Sequence, residues 1–165
     1  MKSPIEKIGE IDLDTLLKEI GHIRLPKEGA RQFPFQKRKD DNDGESAKGN
    51  DYTFRVDDLE YDTLIYDEYN YTNLIIEKYN MCRTRIMWMK QKFAYGWHKD
   101  HSPRIHIPLV TNEHNMFIID DNVYRIPADG GVYLVNTTLP HTFVNANSER
   151  FLRSHLLGTS KVQYK

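Results

Sequence analysis

The stretch RIHIPLVTNEHNMFIIDDNVYRIPADGGVYLVNTTLPHTFVNANSERFLRSHLLG, residues 104–158, decides the fold. It divides into short apolar or alternating runs: RIHIPLV (104–110), NMFIID (115–120), NVYRIP (122–127), GVYLVN (131–136), HTFVN (141–145) and RFLRSHLLG (150–158). RIMWM (85–89) is another such run just upstream. Turn formers separate them, notably Ser102-Pro103, Asp120-Asp121-Asn122, Asp129-Gly130-Gly131 and Asn145-Ala146-Asn147-Ser148. Seven runs at this spacing in about half the chain predict a mainly β fold. The expected form is an antiparallel sandwich or jelly roll, with N-terminal helices packed outside it.

Upstream of these runs the texture is different. Leu13, Leu16, Leu17 and Ile20 fall on one helical face, with Asp12 in place as a cap, so a short amphipathic helix is expected to open the fold. Tyr69, Tyr71, Leu74, Ile75 and Tyr79 form a second helical stripe ending near Asn80. Between them QKRKDDNDGESAKGND (36–51) has Ala47 as its only apolar residue and reads as a mobile surface loop, or as a lid that orders over a site. The 165 residues fit one domain, 1–165, with a helical N-terminal part (1–82) and a strand-rich core (83–160).

Composition narrows the function. Lys and Arg number 23 against 24 Asp and Glu, so no global basic field points to nucleic acid, and the short KRK at 37–39 lacks the interleaved aromatics of a nucleic-acid stripe. No window approaches the roughly 20 apolar residues of a membrane span. A single cysteine, Cys82, and an N-terminus without an apolar signal region give a reducing, cytoplasmic setting as the expectation.

The histidines are unevenly placed. His98, His101, His106, His114, His141 and His155 lie in the strand-rich half, and only His22 lies outside it. In His98-Lys99-Asp100 the imidazole and the carboxylate are two residues apart, so an extended backbone points both to one face, within reach of one metal ion. His141, just after the turn residue Pro140, is the best-placed third ligand. Two histidines and one carboxylate on one side of a divalent metal form the facial triad of non-heme Fe(II) oxygenases, with open positions opposite. The plainer reading of the same pair is a polar surface turn.

Arg104 and His106 alternate with Ile105, Ile107 and Leu109, and Arg153 and His155 repeat the pattern in RSHLL. Each strand thereby aims a guanidinium and an imidazole at a face that ought to be buried. Such a guanidinium is costly unless an anion meets it, and a dicarboxylate cosubstrate would do so. A nearby Asp or Glu is the alternative partner.

Taken together, WHKDHSPRIHIPL (97–109) and MFIIDDNVYRIPADGGVYLVNTTLPHTFVNANSERFLRSHLLG (116–158) resemble the aspartyl/asparaginyl β-hydroxylase family of Fe(II)/2-oxoglutarate-dependent oxygenases. The likeness rests on ordered elements: HxD, Arg-x-His, an ADGG turn, a tract ending in Pro-His, and a final Arg-x-His-Leu strand. It covers about residues 83–160. The resemblance implies a double-stranded β-helix (jelly roll, cupin-like) in which His98, Asp100 and His141 hold Fe(II). It also implies that Arg153 anchors the distal carboxylate of 2-oxoglutarate and that Arg104 and His106 make further cosubstrate contacts. Arg150 does not fit the Arg-x-His-Leu pattern. Some animal members lack the carboxylate ligand, whereas Asp100 is present here. The implied reaction uses O2, converts 2-oxoglutarate to succinate and CO2, and hydroxylates an aspartyl or asparaginyl residue, a free amino acid or a related small molecule. Its partner is therefore a small-molecule or peptide substrate.

Trp97, beside His98, either lines the substrate pocket or packs, and Asn136 either faces the site or caps its strand. Met87, Trp88 and Met89 are read as core, and Cys82 as an inert buried thiol. Other functions fit the same strands. One is a jelly-roll module that binds metal or anion without turnover. Another is a cupin-like metalloenzyme of different reaction type, which would not need the arginines.

Overall fold

The structure is a computed structural model and describes residues 3–24, 31–41 and 57–161. Twelve strands dominate it: β1 (Ile5–Glu10), β2 (Gln32–Pro34), β3 (Gln36–Lys37), β4 (Thr63–Leu64), β5 (Met81–Met89), β6 (Phe93–Ala94), β7 (Arg104–Val110), β8 (Asn115–Ile119), β9 (Asn122–Tyr124), β10 (Gly131–Val135), β11 (His141–Asn145) and β12 (Arg153–Ser160). The helices are α1 (Leu13–Ile20) and α2 (Asn70–Lys78), with a short 3-10 turn at Asp58–Glu60. A six-stranded sheet runs β1-β10-β7-β12-β5-β2, a four-stranded sheet runs β6-β11-β8-β9, and β3 and β4 form a small two-stranded sheet. Every strand pairing is antiparallel. Between β5 and β12 the chain alternates between the two large sheets, with β8 and β9 neighbours in the smaller one.

Period-two alternation gives the large sheet two different faces. Ile86 and Trp88 of β5, Ile105, Ile107 and Leu109 of β7, Val132 and Leu134 of β10 and Leu156 of β12 join Leu16, Ile20, Ile75 and Ile76 in one core beneath the helices. The opposite face carries Met89, Tyr133 and Val135, which pack on Phe117, Ile119 and Phe143 of the small sheet. The functional groups lie along this second, inner face.

The helices are fixed at their N-termini. Asp12 accepts from the Thr15 amide at 3.0 Å and caps α1. Tyr69, at the start of α2, provides no side-chain cap. Instead the Glu19 carboxylate of α1 accepts from the Tyr71 and Thr72 amides, both at 2.8 Å. A carboxylate here meets the free amides and the positive end of the helix together, and it locks α1 to α2.

All seven expected runs contain a strand, and Met89, Trp88 and Cys82 are buried. Three expectations need correction. The chain opens with β1, not with a helix: β1 is an edge strand whose IEKIGE sequence is largely exposed and has no clean alternation. In α2, Leu74 is 60% exposed, while Thr72, Ile75 and Ile76 face the core. The proposed loop at 36–51 begins as structure: Gln36 is buried in β3, donates to the Met81 carbonyl at 3.0 Å and accepts from the Thr84 amide at 2.9 Å. Residues 42–51 of that segment lie outside the described residues. Among the described residues, no helix is long and apolar enough to cross a membrane.

Candidate metal centre

His98 and Asp100 lie on the connection from β6 to β7, and His141 begins β11. The connection is tied to β11 by a two-way backbone bridge, His98 N to His141 O at 3.1 Å and His141 N to His98 O at 2.9 Å. Asp100 is fixed by its own amide, which donates to the Thr137 carbonyl at 2.8 Å. The result is a cluster in which one ligand atom from each of His98, Asp100 and His141 lies within 4.8 Å of the others.

The ring nitrogens are already sorted. His98 Nδ1 lies 2.7 Å from the Gly96 carbonyl and His141 Nδ1 lies 3.0 Å from the Leu139 carbonyl. A carbonyl only accepts, so each Nδ1 carries the proton and each Nε2 keeps a lone pair for a metal. Burial pushes the His141 pKa down, keeping the ring neutral. Burial pushes Asp100 up, but Arg104, whose Nε donates to its Oδ2 at 2.9 Å, together with His141 and Thr137 brings it below the usual carboxylate value, so it stays ionised. Two imidazoles that offer Nε2 and one carboxylate suit a divalent first-row metal with open positions. The donor chemistry therefore fits the expected ion.

Along the inner face the strand registers align the other polar groups. Arg153 sits opposite Met89, His155 opposite Met87 and Leu157 opposite Arg85 across β12 and β5. On the other side, Leu157 faces His106 and Thr159 faces Arg104. His106 and His155 contact through their Nδ1 atoms at 3.3 Å and abut the rings of Phe117 and Phe143. Burial, aided by Arg153, pushes both pKa values well below 6.5.

Arg153 stands out electrostatically. It is 3% exposed, and its guanidinium lies over the Phe143 ring at 3.8 Å and donates through Nη2 to His155 Nδ1 at 2.5 Å. Among the described residues no carboxylate pairs with it, and its Nε and the Nε2 of His155 have no hydrogen-bond partner. Burial pushes its pKa down to about 9, still above neutral, so it remains charged. A dry cation with an unmatched donor is unfavourable unless an acceptor arrives.

Arg104 is placed differently. Its guanidinium is engaged by Asp100, by Asp58 at 2.5 Å and by Thr159. Asp58, on the 3-10 turn, also binds Arg83. Burial pushes the Asp58 carboxyl up, but Arg104, Arg83 and Arg85 outweigh it and hold its pKa down to about 2. Asp58, Arg83 and Arg85 were not singled out by the sequence. The Arg85-Met87-Met89 alternation in β5 is the same signal that marked Arg104 and Arg153. Asp58 had none, because it reaches the site only through tertiary packing.

Trp97 is 55% exposed beside His98, at the rim of the cluster. Asn136 spends its side-chain oxygen on the turn, accepting from the Thr138 amide at 3.3 Å and the Thr138 hydroxyl at 2.6 Å. Arg150 is exposed and precedes β12. No protein-family model matches the chain, and no curated protein matches it.

Proposed function

We propose that this protein is an Fe(II)/2-oxoglutarate-dependent dioxygenase, a hydroxylase of aspartyl/asparaginyl β-hydroxylase type. Its substrate is an aspartyl or asparaginyl residue, a free amino acid or a related small molecule. The reading rests on one observation: a buried guanidinium with no acid partner, Arg153, shares the inner sheet face with His106 close to a His-Asp-His donor set. The strand order supports the fold that goes with it. In a double-stranded β-helix eight strands pass back and forth between two antiparallel sheets, and β5 to β12 follow that path.

In this reading His98, Asp100 and His141 hold the iron. The bound metal, with O2 and 2-oxoglutarate, supplies the oxidising chemistry that inserts oxygen into a C–H bond while the cosubstrate becomes succinate. The chain's own residues supply position and dryness. Arg153 receives the distal carboxylate through charge-assisted hydrogen bonds, with the free Nε–H and the His155 Nε2–H as unmatched donors beside it. His106 flanks the cosubstrate between Arg153 and the donor set. Arg104 serves the site by keeping Asp100 ionised and turned. Phe117 and Phe143 exclude water from the anchor. Trp97, exposed beside His98, lies toward the substrate side, whereas the Asn136 side chain is used in its own turn.

Calorimetric titration tests this directly. 2-Oxoglutarate should bind tightly only when a divalent ion is present, and Arg153→Met should weaken it. Binding that ignores both the metal and Arg153 would overturn the proposal.

A further inference from the structure

Asp58 is a half-buried acid outside the expected ligand set, and its contacts lead to the metal cluster. Its Oδ2 meets Arg104 Nη1 at 2.5 Å and accepts from the Thr159 hydroxyl at 3.1 Å. The same Nη1 also donates to Thr159, so carboxylate, hydroxyl and guanidinium close a small ring of contacts. On the other side of that guanidinium, Nε donates to Asp100 Oδ2 at 2.9 Å. A guanidinium is planar and rigid, so pinning Nη1 also fixes the direction of Nε–H.

The seat of Asp58 is a local departure from regular sheet. Cys82 lies opposite Thr159 and Arg85 opposite Leu157, so Arg83 and Thr84 together face the single residue Gly158. This is a β-bulge, and Arg83 takes the left-handed conformation in it, with φ 51°. Gly158 leaves the room, since a Cβ there would lie 2.9 Å from Thr84 Oγ1 and 3.1 Å from the Cys82 carbonyl oxygen. The bulge brings the Arg83 amide to the Tyr61 carbonyl at 2.7 Å and its guanidinium onto Asp58 Oδ1. The 3-10 turn is thereby fixed at both ends: Asp57 accepts from the Leu59 amide at 3.0 Å, and Arg83 holds the exit at Tyr61. A left-handed arginine costs free energy, and bulges of this kind re-aim side chains beside functional sites.

We infer that Asp58 is a positioning residue of the metal centre: by pinning Arg104 from behind, it keeps the Asp100 carboxylate turned for the ion before the ion arrives. The inference rests on the metal centre of the oxygenase reading above and adds to it a component from outside the strand-rich core. Asp58 bonds Arg83, Arg104 and Thr159 and none of the three ligands, so its effect passes through Arg104. Outer partners that orient a ligand typically carry about 10- to 100-fold of metal affinity.

The test uses the full chain with Zn(II) as the probe, titrated in competition with a chromophoric chelator. Asp58→Asn should bind Zn(II) at least about tenfold more weakly than wild type. Gly130→Ala, which strains the chain at the Ile11 carbonyl instead, should stay within about twofold of wild type. With arginine labelled by 15N, the Arg104 Nε–H resonance, assigned by its loss in Arg104→Lys, should be protected from solvent exchange in the metal-free wild type. That protection should fall in Asp58→Asn. Thr159→Val loosens the same pin without stranding a charge and should weaken Zn(II) by about threefold or more, a result that holds even if Asp58→Asn fails to fold. Wild-type affinity in both Asp58→Asn and Thr159→Val would overturn the inference. So would an equal loss in Gly130→Ala, which would make the effect one of stability, or an unprotected Arg104 Nε–H in wild type. A wild type that binds no Zn(II) overturns the inference together with the metal centre. Zn(II) binding that is indifferent to 2-oxoglutarate removes the oxygenase reading alone and leaves the role of Asp58 intact.

Discussion

Replacing Arg153 by methionine should separate binding from stability, with opposite signs. Methionine keeps much of the volume and fills the contact over Phe143, but removes the charge. In the free protein the guanidinium is 3% exposed with no acid partner, so the native state carries its desolvation cost without a Coulombic return. Removing uncompensated buried charge in favour of apolar packing is neutral or stabilising by about 1–3 kcal/mol. Against this stand the lost ring contact and the bond to His155, each worth about 1 kcal/mol. The net expectation for the ligand-free variant is a melting temperature equal to or above wild type, at about 2–4 °C per kcal/mol for a chain of this size. Cosubstrate affinity should fall by about 2–3 kcal/mol, or roughly 30- to 150-fold, as a bidentate charged contact disappears. Thermal unfolding with Zn(II), with and without 2-oxoglutarate, reads both numbers. A variant that melts several degrees lower without ligand, yet keeps its full ligand-induced shift, would make Arg153 a structural residue and refute the reasoning.

Other consequences follow from the same interior. Asp58→Asn should destabilise the fold by about 2–4 kcal/mol at pH 7, because it strands Arg83 and leaves Arg104 with Asp100 as its one carboxylate. Its carboxyl pKa is held down to about 2 from 3.8, so that contribution is complete above about pH 4 and fades as pH falls toward 2. Chemical denaturation of wild type and variant at pH 7 and pH 2.5 should therefore show a gap that narrows in acid, and a constant gap would contradict it. His106 and His155 are buried with pKa values far below 6.5, so the unfolded chain takes up protons that the native state refuses. Stability should be level above about pH 6.5 and decline as pH drops from there toward 5. A flat melting profile over pH 5–8 would mean these rings are not buried neutral. Gly130→Ala should cost roughly 1–3 kcal/mol, since φ is +82° and a Cβ would lie 2.6 Å from the Ile11 carbonyl oxygen. Equal stability of that variant by urea titration would show that the ADGG turn adopts another conformation.

The strands of the core were readable because each is short, bounded by turn residues, and alternates between two buried environments. RIHIPLV shows this best: Ile105, Ile107 and Leu109 enter the core under the helices while Arg104 and His106 turn inward. The metal cluster was legible for a similar reason, since an extended HKD places two ligands on one side and a strand start places the third. β1 was missed because an exposed edge strand has no burial pattern to impose. Asp58 was missed for another reason: it reaches the site only through tertiary packing against strands far away in sequence, whereas Arg85 carried in β5 the same alternation that marked Arg104 and Arg153.

The central claim is that His98, Asp100 and His141 hold iron while Arg153 holds the cosubstrate. Anaerobic titration of the apo-protein with Fe(II) and 2-oxoglutarate tests it most directly, through the weak visible charge-transfer absorption of a metal-chelated 2-oxo acid. The band should form in wild type and be lost in both His98→Ala and Arg153→Ala at the same ligand concentrations. A wild-type protein that binds neither iron nor 2-oxoglutarate would contradict the account, leaving a β-sheet module with a polar interior of another purpose.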